Sequence, residues 1–218
     1  MITKNGNGFF QTYQNPLIAG IQFYHNGKCD VFFVDGNKRS FDVGCEPAFN
    51  CQYGIPLNKD GTQLLLGSWE KGISAYSTAT GEILWRHRAA QIRQIFAFDE
   101  FLIAVRAAKE IMKLDIRTGK ELASLRSGTI EDAFFLTENL LLVHSIKGRL
   151  SLLEPCSLTV KRSFSKKETN PNGCLSQLVL NAEIRENSLI ISGFEAGSFM
   201  APSPPSERCS FRRSFTIS

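Results

Sequence analysis

The chain has 218 residues, 43% hydrophobic and 21% charged, with 25 Lys and Arg against 21 Asp and Glu for a formal net charge of +4. That content suffices for one large core or two small ones and excludes a disordered tail or a collagen-like fibre. A surplus this small and scattered gives no argument for nucleic acid, no stretch has the roughly 18 uninterrupted apolar residues of a membrane helix, and the start MITKNGNGFFQTYQNP lacks the layout of a secretory signal. The expectation is a cytoplasmic chain with neither nucleic acid nor membrane as partner.

The first 45 residues supply four short strand patterns, Phe9 to Tyr13, Leu17 to Phe23, Asp30 to Val34 and Ser40 to Val43, with Asp35-Gly36-Asn37 as a hairpin turn. Six cysteines, Cys29, Cys45, Cys51, Cys156, Cys174 and Cys209, contain no CxxC pair, so free and mostly buried thiols are expected rather than a zinc site.

From Gly61 the sequence repeats itself. The segments GTQLLLGSWEKGISAYSTATGEILW, EFLIAVRAAKEIMKLDIRTGKELASL and NLLLVHSIKGRLSLLEPCSLTVKRSF, starting at Gly61, Glu100 and Asn139, align without a gap. Leu64, Leu102 and Leu140 are 38 apart, as are Tyr76, Leu114 and Leu152, and Gly81, Gly119 and Ser157. Each unit holds an apolar run (Leu64 to Leu66, Leu102 to Val105, Leu140 to Val143), a polar turn, an alternating strand, a tight turn and a further strand such as Ile83 to Trp85. One more strand precedes each run, Gln94 to Phe98 or Asp132 to Leu136. Four short antiparallel strands in about 38 residues is the size of one blade of a β-propeller. Gly81 and Gly119 suit a turn that needs positive φ, which Ser157 satisfies less easily.

The expected fold is therefore all-β, a propeller of four-stranded antiparallel blades, four to five in number, with a ring that is not shown to close. Residues 1–199 hold the repeats, with blades near 8–45, 54–88, 93–126 and 131–165 and a partial blade at 176–199, displaced by the insertion SKKETNPNG. After Ser192, Pro202, Pro204 and Pro205 with serines and arginines replace strand alternation, so residues 200–218 read as an irregular tail and the last blade lacks its outer two strands. Three arrangements answer this: the N-terminal strands close a small ring, a second chain supplies the missing strands through unpaired blade edges, or the tail is unrelated sequence. The abrupt change in composition favours the last.

Ala75-Tyr76-Ser77-Thr78-Ala79-Thr80-Gly81-Glu82-Ile83-Leu84-Trp85 resembles the tryptophan-docking repeat of quinoprotein-like (PQQ-like) propellers, and Asp115, Thr118 and Gly119 keep its Asp and Thr-Gly in the next unit. The resemblance covers Gly54 to Phe164 well; WD40-like propellers share the blade plan, but their Gly-His and Trp-Asp dipeptides are not at their places. What it implies is a structural role for Thr80, Gly81, Trp85, Asp115, Thr118 and Gly119, with the aromatic ring packed between neighbouring blades. In the quinoprotein dehydrogenases it further implies about eight blades, a calcium site and a catalytic Asp. This chain is too short for that ring and has no vicinal cysteine pair, so no catalytic, cofactor or metal residue is assigned.

The loops that a propeller gathers on one face carry Lys71, Arg86, Arg88, Arg93, Arg106, Lys109, Arg126, Lys147, Lys166 and Lys167 against Glu70, Glu110, Glu131 and Glu168. Trp69 sits among them as a candidate interaction anchor. A non-catalytic scaffold that binds an acidic protein surface or peptide through Trp69, Lys71, Arg86, Arg88, Arg93, Arg106, Lys109 and Lys147 is the leading functional expectation. Its rival is a ligand-binding or enzymatic propeller, a quinone-type oxidoreductase or hydrolase, that uses a central channel. Ser68, Arg106 and His144 share one repeat position and are expected near that channel's mouth.

Overall fold

The computed structural model describes residues 2–5, 8–12, 16–24, 27–42, 57–107, 110–145, 148–171, 176–196 and 209–217. They form five antiparallel sheets in two compact units, Met1–Arg126 and Ser127–Ser218.

In the first unit, β1 (Ile2–Asn5), β2 (Gly8–Thr12), β3 (Ile18–Tyr24), β4 (Lys28–Phe33) and β5 (Lys38–Asp42) pair in sequence order. β2 to β5 are the four strands read from the sequence, and β1 is an addition that its short polar sequence did not signal. The second sheet is β6 (Gln63–Ser68), β7 (Gly72–Ser77) and β8 (Ile83–His87), with Leu57 bridged to Leu64 on the side of β6 away from β7. The third is β9 (Ile92–Ala97), β10 (Phe101–Arg106), β11 (Glu110–Asp115) and β12 (Glu121–Arg126).

The apolar runs follow from this layering. A strand with a packed sheet on each face needs apolar side chains at every position, not at alternate ones. Leu64 and Leu66 of β6 join Phe23, Val31 and Phe41 of the first sheet, while Leu65 between them joins Ile92, Ile95 and Leu102 of the third. Leu102 to Val105 of β10 are likewise all buried.

Aromatic residues on the last strands of the first and second sheets lock each of these to the sheet that follows it. Trp85 of β8 donates its Nε1 proton to Ile116 O at 3.0 Å, and its ring lies over Gly119. Phe41 of β5 occupies the same relation to Gly81. Both glycines have positive φ, +79° and +68°, so the turn conformation and the approach of the ring each require that position to lack a side chain. The turns are fixed by their own side chains: Asp115 Oδ1 accepts from the backbone N–H groups of Arg117 and Thr118 and from Thr118 Oγ1 at 2.8–3.0 Å, and Ser77 Oγ accepts from Thr80 N–H at 3.1 Å. These bonds, Thr118 Oγ1 first, hold the Asp115 carboxyl below its ordinary pKa. In the next repeat Ser157 replaces the glycine and Leu158 takes the left-handed conformation instead, φ +53°.

In the second unit, β13 (Ile130–Thr137), β14 (Leu140–Ser145), β15 (Leu150–Glu154) and β16 (Thr159–Phe164) form the fourth sheet. The insertion after it begins with a short helix, α1 (Lys166–Thr169), capped reciprocally by Ser165 and Glu168. The fifth sheet is β17 (Ser176–Arg185), β18 (Ser188–Ala196) and β19 (Cys209–Thr216).

β19 corrects the reading of residues 200–218 as irregular throughout: Cys209–Thr216 pairs with β18 over its whole length without a register shift. The fifth sheet therefore lacks one outer strand among the described residues rather than two. Phe211, Phe215 and Ile217 pack on the core of the second unit beside Phe164, Val179, Leu189 and Ile191. The fourth member of that inward row is Arg213, whose charge masks the apolar alternation in the sequence. Its guanidinium is bound on three sides: an ion pair with the buried Glu195 at 2.5 Å, a hydrogen bond to Thr169 O, and the Phe211 ring 4.8 Å away.

Candidate functional site

Three of the loops expected to share a face meet within the first unit. The turn between β6 and β7 carries Trp69, the link between β8 and β9 carries Arg88 to Gln91, and β10 ends at Arg106 with Ala107 in the turn after it. Gln91 ties them together: its N–H donates to Trp69 O at 2.6 Å and its carbonyl accepts from Ala107 N–H at 3.0 Å. It does so in the left-handed conformation, φ +64°, which a side-chain-bearing residue adopts at a cost of about 1 kcal/mol. Arg106 Nε adds a bond to Ala90 O at 2.9 Å. Gly72 closes the seam, because a Cβ there would lie 2.2 Å from His87 O and 2.7 Å from Ala89 N.

This backbone frame holds an indole in solvent. Trp69 is 51% exposed, whereas the other tryptophan, Trp85, is 8% exposed. Of the expected cations, Lys71, Arg86 and Arg88 are exposed and Arg93 is half-buried. Arg106 departs from the expected role: it is partly buried and ion-paired with Glu110, so it braces the loops rather than offering a free charge. Lys109 and Lys147 lie outside the described residues.

A similar meeting of loops occurs in the second unit. Thr169 Oγ1 of α1 donates to Gly148 O at 2.6 Å, which seats the helix on the turn after β14, and the exposed Lys166 and Lys167 come with it.

At the repeat position shared by Ser68, Arg106 and His144, Arg106 is ion-paired with Glu110 and His144 is buried. His144 is 1% exposed, and neither ring nitrogen has a hydrogen-bond partner. Burial pushes its pKa down from 6.5 to about 4, so the ring is neutral and nothing orients it as a base. The Ser68 side chain lies outside the described residues. No group of three His, Cys, Asp or Glu side chains is arranged for a metal ion among the described residues. Of the cysteines described by side chain, Cys29 is buried and Cys156 exposed.

Sequence reasoning named Trp69 and the basic loop residues but not the residues that join these loops. Nothing in the composition of Ala90-Gln91 signals positive φ, and the usual marker, glycine, is absent there.

No protein-family model matches the sequence, and no curated protein matches it either. Solved structures do match. BamB from Moraxella catarrhalis is similar over 100% of this chain with a TM-score of 0.59 and 12% identity, and the computationally designed Ika8 protein over 95% with a TM-score of 0.64 and 14% identity. The chain spans 57% of the length of each. The β-propeller domain of Cps50 (Swd1) from Myceliophteria thermophila is similar over 99% of this chain and 74% of its own, with a TM-score of 0.64 and 12% identity. At these identities the likeness carries the fold alone: the chain is a β-propeller repeat protein.

Proposed function

We propose that this chain is a non-catalytic propeller scaffold, built from four to five four-stranded blades of about 38 residues, that binds an acidic peptide or protein surface through the Trp69 loop cluster. One observation carries the reading: an indole 51% exposed, two residues from the exposed Lys71, stands on a main chain that Gln91 bonds to the neighbouring loops. Large aromatics are enriched in interface hot spots, and a frame fixed in advance lowers the entropy lost on binding. Propeller neighbours are consistent with a scaffold of this kind.

The test is a screen of labelled acidic peptides by fluorescence anisotropy, with the best binder carried forward to variants. Trp69→Ala and Arg88→Glu should each weaken binding about tenfold or more, and the wild-type affinity should fall with added salt. Affinity untouched by both substitutions overturns the proposal.

A further inference from the structure

The third and fourth sheets each have four strands, and their third strands, β11 and β15, are largely buried. Among the described residues the fifth sheet has three strands. β19 pairs with β18 on one side, and among the described residues no strand pairs with it on the other. Its residues alternate between exposed and half-buried from Ser210 to Ile217.

The polarity of this open edge follows from one bond. Ile217 N–H donates to Asn187 O at 2.7 Å, so the backbone at that position faces the β18 side. Along an antiparallel strand the N–H and C=O of successive residues point to opposite sides, and the β18–β19 register is unbroken. Phe215, Arg213 and Phe211 therefore turn their backbone groups toward β18. Thr216, Ser214, Arg212 and Ser210 turn theirs to the open edge.

The edge is also chemically biased. The segment Cys209–Thr216 contains two arginines and no acid. Arg213 is committed inward to Glu195 and Thr169. Arg212 belongs to the open-edge row, is 62% exposed, and reaches Glu183 only at 3.4 Å, a carboxylate that Arg185 approaches more closely at 3.1 Å. A second copy pairing through the same edge would bring two Arg-Arg segments against each other, and like charges opposed across a ladder destabilise it. An extended segment with a carboxylate opposite Arg212 has the complementary charge.

We propose that the open edge of β19 is a strand-addition site for an extended acidic peptide, which completes the fifth sheet as its fourth strand. Backbone hydrogen bonds from the open-edge row give affinity. Specificity comes from an acid facing Arg212 and apolar side chains facing Phe211 and Phe215. The site lies in the second unit, and the Trp69 cluster in the first, so each can fail without the other.

The probe is a capped, fluorescein-labelled peptide Val-Thr-Val-Glu-Val-Thr-Val, titrated with the full chain and followed by anisotropy, with a Lys-centred version as control. The Glu peptide should bind on the order of tenfold more tightly than the Lys peptide, and Arg212→Glu should reverse that order. Ser214→Pro should weaken the Glu peptide about tenfold at an unchanged unfolding midpoint, since proline removes an open-edge N–H and leaves the β18 ladder intact. Trp69→Ala should have no effect. Equal binding of the two peptides, insensitivity to both β19 substitutions, or a dimer of the free chain by light scattering that the peptide must dissociate would each overturn the proposal. Should Ser214→Pro lower the unfolding midpoint, the Arg212→Glu reversal decides alone.

Discussion

The indole of Trp85 fills the volume that a side chain on Gly119 would need: a Cβ there would lie 2.3 Å from Trp85 Cε3. Gly119→Ala must therefore both adopt a left-handed conformation and displace the ring that joins the second sheet to the third. Gly36, at φ +88° with nothing within 4 Å of its Cβ position, isolates the first effect. Gly36→Ala should cost about 1 kcal/mol and Gly119→Ala about 3 kcal/mol or more, measured by urea unfolding. Equal costs would mean that the docked ring contributes nothing to stability.

Arg213 joins three parts of the second unit that are remote in sequence. Arg213→Met takes the guanidinium from Glu195, whose side chain is 6% exposed, and should destabilise the second unit by about 3 kcal/mol. Limited proteolysis reads this directly: wild-type Cys209–Thr216 should resist cleavage, and the variant should lose it early. Adding Glu195→Gln to Arg213→Met should recover part of the loss, because the buried charge goes with its partner. Additive losses in the double variant would refute the pairing.

His144 gives the protein an acid-sensitive point well above the carboxylate range. An unfolded chain takes up a proton on this residue as pH falls through about 6.5, and the folded chain does so only near 4. The stabilisation is therefore complete above pH 6.5, declines between 6.5 and 4, and falls no further from this source below 4. The gap corresponds to about 3 kcal/mol. Thermal melts at pH 7 and pH 4.5 should differ strongly for the wild type and much less for His144→Leu. An equal decline in both proteins would place the acid sensitivity elsewhere.

The fold was legible in the sequence where one residue type served both local and global demands. Leu64 to Leu66 announced a strand packed on both faces, and Asp115-x-x-Thr118-Gly119 announced the turn that Trp85 covers, because spacing alone conveys these constraints. β19 was illegible because Arg213 interrupts the inward row of Phe211 and Phe215, and its compensation, Glu195, lies 18 residues away across a strand pair. Phe41 escaped notice for a related reason. It docks on Gly81 as Trp85 docks on Gly119, yet it lies 44 residues from Trp85, outside the 38-residue register. In the loop cluster the charges and Trp69 could be read as composition. The frame around Gln91 could not, since it rests on main-chain bonds between segments that no side-chain pattern encodes.

The two tryptophans also decide what light can report. Both Trp69 and Trp85 belong to the unit Met1–Arg126, and Ser127–Ser218 contains none. Intrinsic indole emission is thus blind to the second unit: the shielded Trp85 should shift to the red when its sheets part, while Trp69, already in water, should change little until a partner covers it. An unfolding curve followed by emission will measure the first unit alone, and any disagreement with circular dichroism will be the signature of the second unfolding separately.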